Sequence, residues 1–297
     1  MPSMYGGKET IAGKTVVVTG ANTGIGKETV RDLAMRGGRI IMACRNTEKG
    51  EQAKKEIVDE TRSEQIVVKE LDLGSLESVQ KFAKEFNETE SRLDILINNA
   101  GVMACPKALT KDGLEMQIGT NHFGHFLLTN LLLDKLKASV PSRIVIVSSL
   151  AHTYGKINFE DLNSEKSYGE FVAYNQSKLA NVLHALELTT RLKGTGVTAN
   201  SLHPGVVDTE LARHANQGFL KLFFSGIGKP FFITPLQGAQ TTLRVALDKH
   251  LDNVSGKYFA DCKEKEASSR AQSVVDAKRL WDMTEEIIQE KLDSANS

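Results

Sequence analysis

The sequence predicts a doubly wound α/β domain, a parallel sheet of about seven strands with helices on both faces. Three observations carry this. Short β-branched runs alternate with longer helical patterns along most of the 297 residues. Several runs, such as Val16-Val17-Val18 and Ile144-Val145-Ile146-Val147, are apolar throughout, as expected of strands buried on both faces. No repeat, low-complexity tract or linker divides the chain, so residues 1–297 read as one domain.

The expected strands are Lys14–Thr19, Arg39–Cys44, Ile66–Leu71, Asp94–Asn98, Arg143–Ser148, Val197–Leu202 and Lys257–Phe259. Between them the pattern predicts helices near 24–36, 46–62, 75–90, 114–137, 171–193, 235–248 and 274–292. Such alternation means right-handed βαβ units. Ligands of open parallel sheets sit at the carboxyl ends of the strands, so the residues just after each strand are the ones to read for chemistry.

Composition narrows the function. Lys+Arg and Asp+Glu both total 37, so no overall field draws the chain to nucleic acid. Hydrophobic residues at 40 % and charged residues at 25 % suit a globular protein with a sizeable core. The three cysteines, Cys44, Cys105 and Cys262, are odd in number and form no CxxC pair. That argues against a disulfide framework or structural zinc and fits a reducing, intracellular compartment, cytoplasmic by default. No stretch approaches the roughly 18–20 apolar residues of a membrane span.

After the first strand comes Thr19-Gly20-Ala21-Asn22-Thr23-Gly24-Ile25-Gly26, leading into a helix. Glycines there allow a tight turn and close approach to a pyrophosphate held at the helix N-terminus. The second strand ends in Ala43-Cys44-Arg45-Asn46, with no carboxylate to bond a ribose 2′-hydroxyl. Arg45 instead offers a planar fork to a 2′-phosphate, which favours NADP(H) over NAD(H). Asp72 is placed to accept from an adenine amino group, and Asn98-Asn99-Ala100-Gly101 puts small residues where a ribose would pass. Turn chemistry explains these last two equally well.

At the reacting end the fifth strand runs into Ser148-Ser149, and Tyr174-Asn175-Gln176-Ser177-Lys178 lies on a later helix. Tyr174 and Lys178, at i and i+4, share a helical face. A phenol near its ordinary pKa of about 10 is a poor base at neutral pH. A nearby ammonium is expected to lower it, so that Tyr174 removes or donates a hydroxyl proton while Ser149 holds the substrate oxygen.

These motifs, with His203-Pro204-Gly205, occur in the order of the short-chain dehydrogenase/reductase family, which the chain resembles from about Lys14 to at least Thr209. The resemblance implies a Rossmann-like domain with Tyr174 as acid/base and Ser149 polarising the substrate. Lys178 would tune the tyrosine and bind the nicotinamide ribose. Asn121 would fix a water linking Lys178 to solvent. It further implies cofactor contacts from Gly20, Asn22, Thr23, Gly24, Ile25, Gly26, Arg45, Asp72, Asn98, Ala100, Gly101, Tyr174, Lys178, Pro204, Gly205, Val207 and Thr209. The nucleotide part would span about 14–150 and the substrate and catalytic part about 151–297.

A narrower likeness is to the retinol dehydrogenase subgroup, carried by Ala43-Cys44-Arg45, Asn121-His122-Phe123-Gly124-His125-Phe126 and Ser255-Gly256-Lys257-Tyr258-Phe259 among others. It implies NADP(H) and retinol/retinaldehyde interconversion; steroids, lipid aldehydes and xenobiotic ketones are the alternative substrates. A nucleotide-sensing protein without catalysis would be expected to have lost Tyr174 or Lys178. Members of that subgroup usually carry an apolar N-terminal anchor, whereas this chain begins almost at the first strand, as a truncated form would.

The apolar stretches Phe219–Phe224 and Pro230–Ile233 suit a lipophilic substrate, peripheral contact with a membrane surface, or a homodimer interface. His122 and His125 have no acidic or cysteine partner at ligand spacing, and no metal is expected.

Overall fold

The strands assemble because their two faces bury against different helices. The computed structural model describes residues 3–207 and 232–295. Thr209 and most of the apolar stretches around Phe219–Ile233 therefore lie outside the described residues.

Eight strands form one sheet in the order β3-β2-β1-β4-β5-β6-β7-β8. They are β1 (Thr15–Thr19), β2 (Arg39–Cys44), β3 (Ile66–Glu70), β4 (Ile95–Asn98), β5 (Ser142–Val147), β6 (Val197–His203), β7 (Tyr258–Ala260) and β8 (Lys263–Lys265). All pairings are parallel except β7 with β8. The order reverses between β1 and β4, which opens the crevice where such sheets take ligands. The seven expected strands are present within a residue or two. The eighth is Lys-Glu-Lys, exposed at the sheet edge, and carries no apolar signal.

Side chains alternate across each strand. Val17, Ile41 and Leu96 pack in one buried cluster, while Val16, Val18, Ile40 and Met42 pack in the other. The first cluster is closed by α3 (Leu76–Thr89), α4 (116–138), α5 (Glu170–Arg191) and α7 (Val274–Ala295), through Phe82, Phe86, Phe126, Leu183 and Trp281. The second is closed by α1 (Gly24–Met35), α2 (Thr47–Thr61) and α6 (Pro235–Leu247), through Val30, Leu33, Ile57 and Leu243.

The helix expected at 114–137 is composite. Here α4 comprises a short α-helical turn (Met116–Ile118), a π-helical segment (Gly119–Phe123) and an α-helix (Gly124–Ala138). Gly124 lets this helix pack closely, since a Cβ there would stand 2.4 Å from the Leu73 carbonyl oxygen. π-Segments of this kind concentrate at functional sites, and Asn121 lies within this one. No helix among the described residues is long and apolar enough to cross a membrane.

Candidate active site

A single cleft of about 580 Å³ runs along the carboxyl ends of the strands. Its walls include Gly20, Asn22, Thr23, Gly24, Ile25, Gly26, Arg45, Asp72, Ala100 and Gly101 at one end, and Ser149, Tyr174, Lys178, Pro204, Gly205 and Val207 at the other. The structure thus brings together most of the residues singled out from the sequence.

The glycine-rich turn is shaped by close packing. Gly20 and Gly24 have φ of 63° and 54°, where a side chain would be strained. A Cβ on Gly26 would stand 2.3 Å from the Gly20 carbonyl oxygen and 2.7 Å from Asn99 Nδ2. Thr19 locks this turn to the end of β4, its hydroxyl accepting the backbone N–H groups of Asn99 and Ala100, each at 2.9 Å. Asn99 returns a bond from Nδ2 to the Thr19 carbonyl at 2.8 Å. Side chains of Asn46, Ser75 and Thr234 cap α2, α3 and α6, but Thr23 makes no such bond at α1. The first turn of α1 also lacks acidic residues, so its N–H groups remain available to an anion. These residues fit a dinucleotide pyrophosphate.

At the outer end Arg45 is joined by Asn46 and Lys49, which the sequence reading missed. Lys49 lies in the first turn of α2, four residues after Arg45, and both side chains are exposed. No carboxylate pairs with either among the described residues. Asp72 lines the cleft, but its Oδ1 accepts the Gly74 N–H at 3.0 Å and its Oδ2 lies 3.8 Å from Lys111 Nζ, so turn chemistry occupies part of it.

Asn98 departs from expectation. It is fully buried behind the cleft wall and its amide donates to Thr129 Oγ1 at 2.9 Å. The next residue, Asn99, faces the cleft instead, because alternate strand residues point to opposite faces.

At the reacting end, Tyr174 and Lys178 lie on the buried face of α5. Burial pushes the Tyr174 phenol up to about 12, and only its hydrogen bond with Ser149 opposes this. The expected lowering by Lys178 is not what the protein alone provides. The Lys178 amino group sits 5.7 Å from the ring centre and 3.4 Å from the Val147 carbonyl oxygen. Burial also brings its own pKa down to about 8. Ser149 caps the short 3₁₀ turn Leu150–Tyr154, its Oγ accepting the Ala151 N–H at 3.2 Å and keeping its hydroxyl proton for donation.

Asn121 stands behind this wall, not on it. Its Oδ1 accepts from Val102 N–H at 2.8 Å, and its Nδ2 donates to the Val102 carbonyl and to Ser177 Oγ, each at 2.9 Å. Gly101 fits between Asn121 and Lys178, since a Cβ there would lie 3.2 Å from Asn121 Oδ1 and 3.4 Å from Lys178 Nζ. The Asn121 side chain therefore positions the segment after β4, while its backbone carbonyl lies 3.1 Å from His125 Nδ1.

Other cleft residues missed by sequence reading are Thr120, Val102 and Ser148, whose Oγ donates to the Lys178 carbonyl at 2.7 Å. Ser148 repeats the small-residue signal of Ser149 and could have been found from it. His122 and His125 are fully buried and no group of potential metal ligands exists among the described residues.

The chain matches the short chain dehydrogenase family over residues 14–219. It is 54 % identical over 276 residues to human (Homo sapiens) retinol dehydrogenase 11, covering 92 % of this chain and 85 % of that protein. It is 50 % identical over 287 residues to Mus musculus retinol dehydrogenase 14, covering 93 % and 86 %. Among solved structures, an uncharacterized protein from Mycobacterium Paratuberculosis aligns with a TM-score of 0.78 at 40 % identity, over 95 % of both chains. A Beutenbergia cavernae protein assigned as an NAD(P) dependent gluconate 5-dehydrogenase, with bound NADP, aligns with a TM-score of 0.68 at 26 % identity, over 86 % of this chain and 97 % of that one. With a doubly wound sheet, a nucleotide cleft at its strand ends and a tyrosine–lysine pair closing that cleft, the chain belongs to the short chain dehydrogenase family of NAD(P)(H)-binding oxidoreductases.

Proposed function

We propose that this oxidoreductase uses NADP(H) to interconvert retinol and retinaldehyde. The observation that carries the reading is the identity of about half of its residues with retinol dehydrogenases over more than nine-tenths of the chain. Arg45 and Lys49 at the outer end of the cleft would hold the 2′-phosphate. The N-terminus of α1 would take the pyrophosphate, and Lys178 the nicotinamide ribose. A nicotinamide held there would supply or accept the hydride.

The chain's own residues handle the proton. Burial keeps Tyr174 protonated at neutral pH, so its hydroxyl is a ready donor to a carbonyl oxygen. Ser149, hydrogen-bonded to Tyr174 on the same side of the cleft, would hold that oxygen as charge develops. Lys178 would bias the phenol electrostatically, and Asn121 would keep the segment after β4 in register with both. Residues of about 14–150 would supply most of the nucleotide contacts and 151–297 the substrate side. Cys44, Cys105 and Cys262 are all buried, and a reducing intracellular setting is part of this reading. Homodimer formation and peripheral membrane contact complete the reading for a lipophilic substrate.

The test is kcat/KM for retinaldehyde, a steroid ketone, a medium-chain lipid aldehyde and a xenobiotic ketone, each with NADPH and with NADH. The proposal expects retinaldehyde with NADPH to be preferred at least tenfold over every other pairing. A steroid or lipid substrate with a higher value would replace the retinoid, and equal use of NADH would remove the cofactor assignment.

A further inference from the structure

The segment Asn121–His125 contains a buried histidine that none of the cleft chemistry uses. His125 is 1 % exposed, and both ring nitrogens are bonded. Nε2 lies 2.9 Å from Thr19 Oγ1, and Nδ1 lies 3.1 Å from the Asn121 carbonyl oxygen.

The tautomer follows from counting donors. A carbonyl oxygen only accepts, so Nδ1 must carry the proton. The Thr19 hydroxyl already accepts two backbone N–H groups, from Asn99 and Ala100, which fills both of its lone pairs. Its own proton must therefore go outward, and His125 Nε2 at 2.9 Å is a nearer acceptor than the Ile97 carbonyl at 3.4 Å. His125 is neutral, protonated on Nδ1 alone.

A second run of hydrogen bonds begins at the Asn121 side chain. Asn121 Nδ2 donates to Ser177 Oγ at 2.9 Å, and Ser177 Oγ donates to the Tyr174 carbonyl at 2.8 Å. Thr19, Asn121 and Ser177 are each fully buried. One run of hydrogen bonds thus goes from the glycine-rich turn through His125 to the Asn121 backbone, and a second goes from the Asn121 side chain through Ser177 to the backbone of Tyr174, the two being joined covalently at residue 121. A break in either leaves buried groups unsatisfied.

We propose that His125 is a positioning residue for both ends of the cleft, holding the nucleotide-binding turn as an acceptor toward Thr19 and the segment behind Tyr174 as a donor toward the Asn121 backbone. This rests on the reading of Tyr174 as the acid/base group. Neither end of the ring is spare: one nitrogen holds the nucleotide side and the other the catalytic side.

Two substitutions, each keeping one polar position of the ring, separate the ends. His125→Asn keeps a donor near the place of Nδ1 and no longer reaches Thr19. His125→Gln keeps a polar group near the place of Nε2 and leaves the Asn121 carbonyl without its donor. Losing one net hydrogen bond corresponds to about a fivefold effect. His125→Asn is expected to weaken NADPH binding, read by fluorescence titration, about fivefold with kcat near the wild-type value. His125→Gln is expected to lower kcat for carbonyl reduction about fivefold with the NADPH Kd unchanged.

Equal effects of both variants on Kd and kcat, or a loss of thermal stability alone, would overturn the proposal. Should both variants fail to fold, ¹⁵N NMR of the wild-type imidazoles decides: a proton on Nδ1 of His125 supports the chain, and a proton on Nε2 breaks it. If retinaldehyde is not a substrate, the function proposed above fails, yet the NADPH Kd and the tautomer still test His125.

Discussion

Replacing Lys178 with methionine should make the nucleotide-free protein more stable while removing its activity. The amino group is buried, and no carboxylate offsets that burial, which carries its pKa from 10.5 to about 8. At about 1.4 kcal/mol for each tenfold change in proton affinity, holding this charge costs about 3 kcal/mol. The sign follows from proton counting. Below pH 8 the lysine is charged in both folded and unfolded chains and the full cost is present. Between pH 8 and 10.5 the unfolded chain holds the proton and the folded one does not, so wild-type stability rises with pH. Methionine fills much the same volume without the charge. At pH 7, Lys178→Met should therefore raise the melting temperature by about 5 °C for a chain of this size. Urea unfolding at pH 9.5 should show less than half of the pH 7 gain. A destabilised variant, or a gain unchanged across that range, would refute the burial argument.

Other consequences follow from the same geometry. Arg45→Asp should lower NADPH affinity by about 100-fold and raise NADH affinity, measured by titration of each; unchanged selectivity would remove Arg45 from the 2′-phosphate site. Gly26→Ala places a methyl 2.3 Å from the Gly20 carbonyl oxygen and should cost about 1–3 kcal/mol in stability and most of the nucleotide binding; denaturant unfolding and an NADPH titration would check both. Carbonyl reduction should be flat in pH up to about 8 and decline above it as Lys178 loses its proton, because Tyr174, pushed up to about 12, stays protonated throughout. Alcohol oxidation should instead rise with pH over that range, and a pH–rate profile in both directions reads the difference.

The strands were legible wherever their runs were apolar, since β-branched residues buried on both faces leave an unbroken signal. The edge strand Lys263–Lys265 left none, because it borrows its structure from pairing with β7. The break in α4 was equally invisible, as nothing in the spacing of its apolar residues distinguishes π- from α-helix. Within the site, residues fixed by turn chemistry or by a helical face were readable: Gly20, Gly26, Tyr174 and Lys178. Asn98 was misplaced by one residue because adjacent strand positions face opposite ways, a choice that only the sheet decides. The phenol of Tyr174 is raised because burial dominates its environment, which the spacing of Tyr174 and Lys178 along the sequence does not reveal. The role of His125 is not legible in the sequence, because Thr19, the partner that ties it to the glycine-rich turn, is 106 residues away.

The central claim is that Tyr174 supplies the proton in an NADPH-dependent carbonyl reduction. It is tested most directly by kcat/KM for retinaldehyde at pH 7, comparing wild type with Tyr174→Phe, which keeps the ring and removes only the hydroxyl. The account predicts a loss of about 100-fold or more, the range expected for a missing general acid, with NADPH affinity retained. A variant within about threefold of wild type would contradict it.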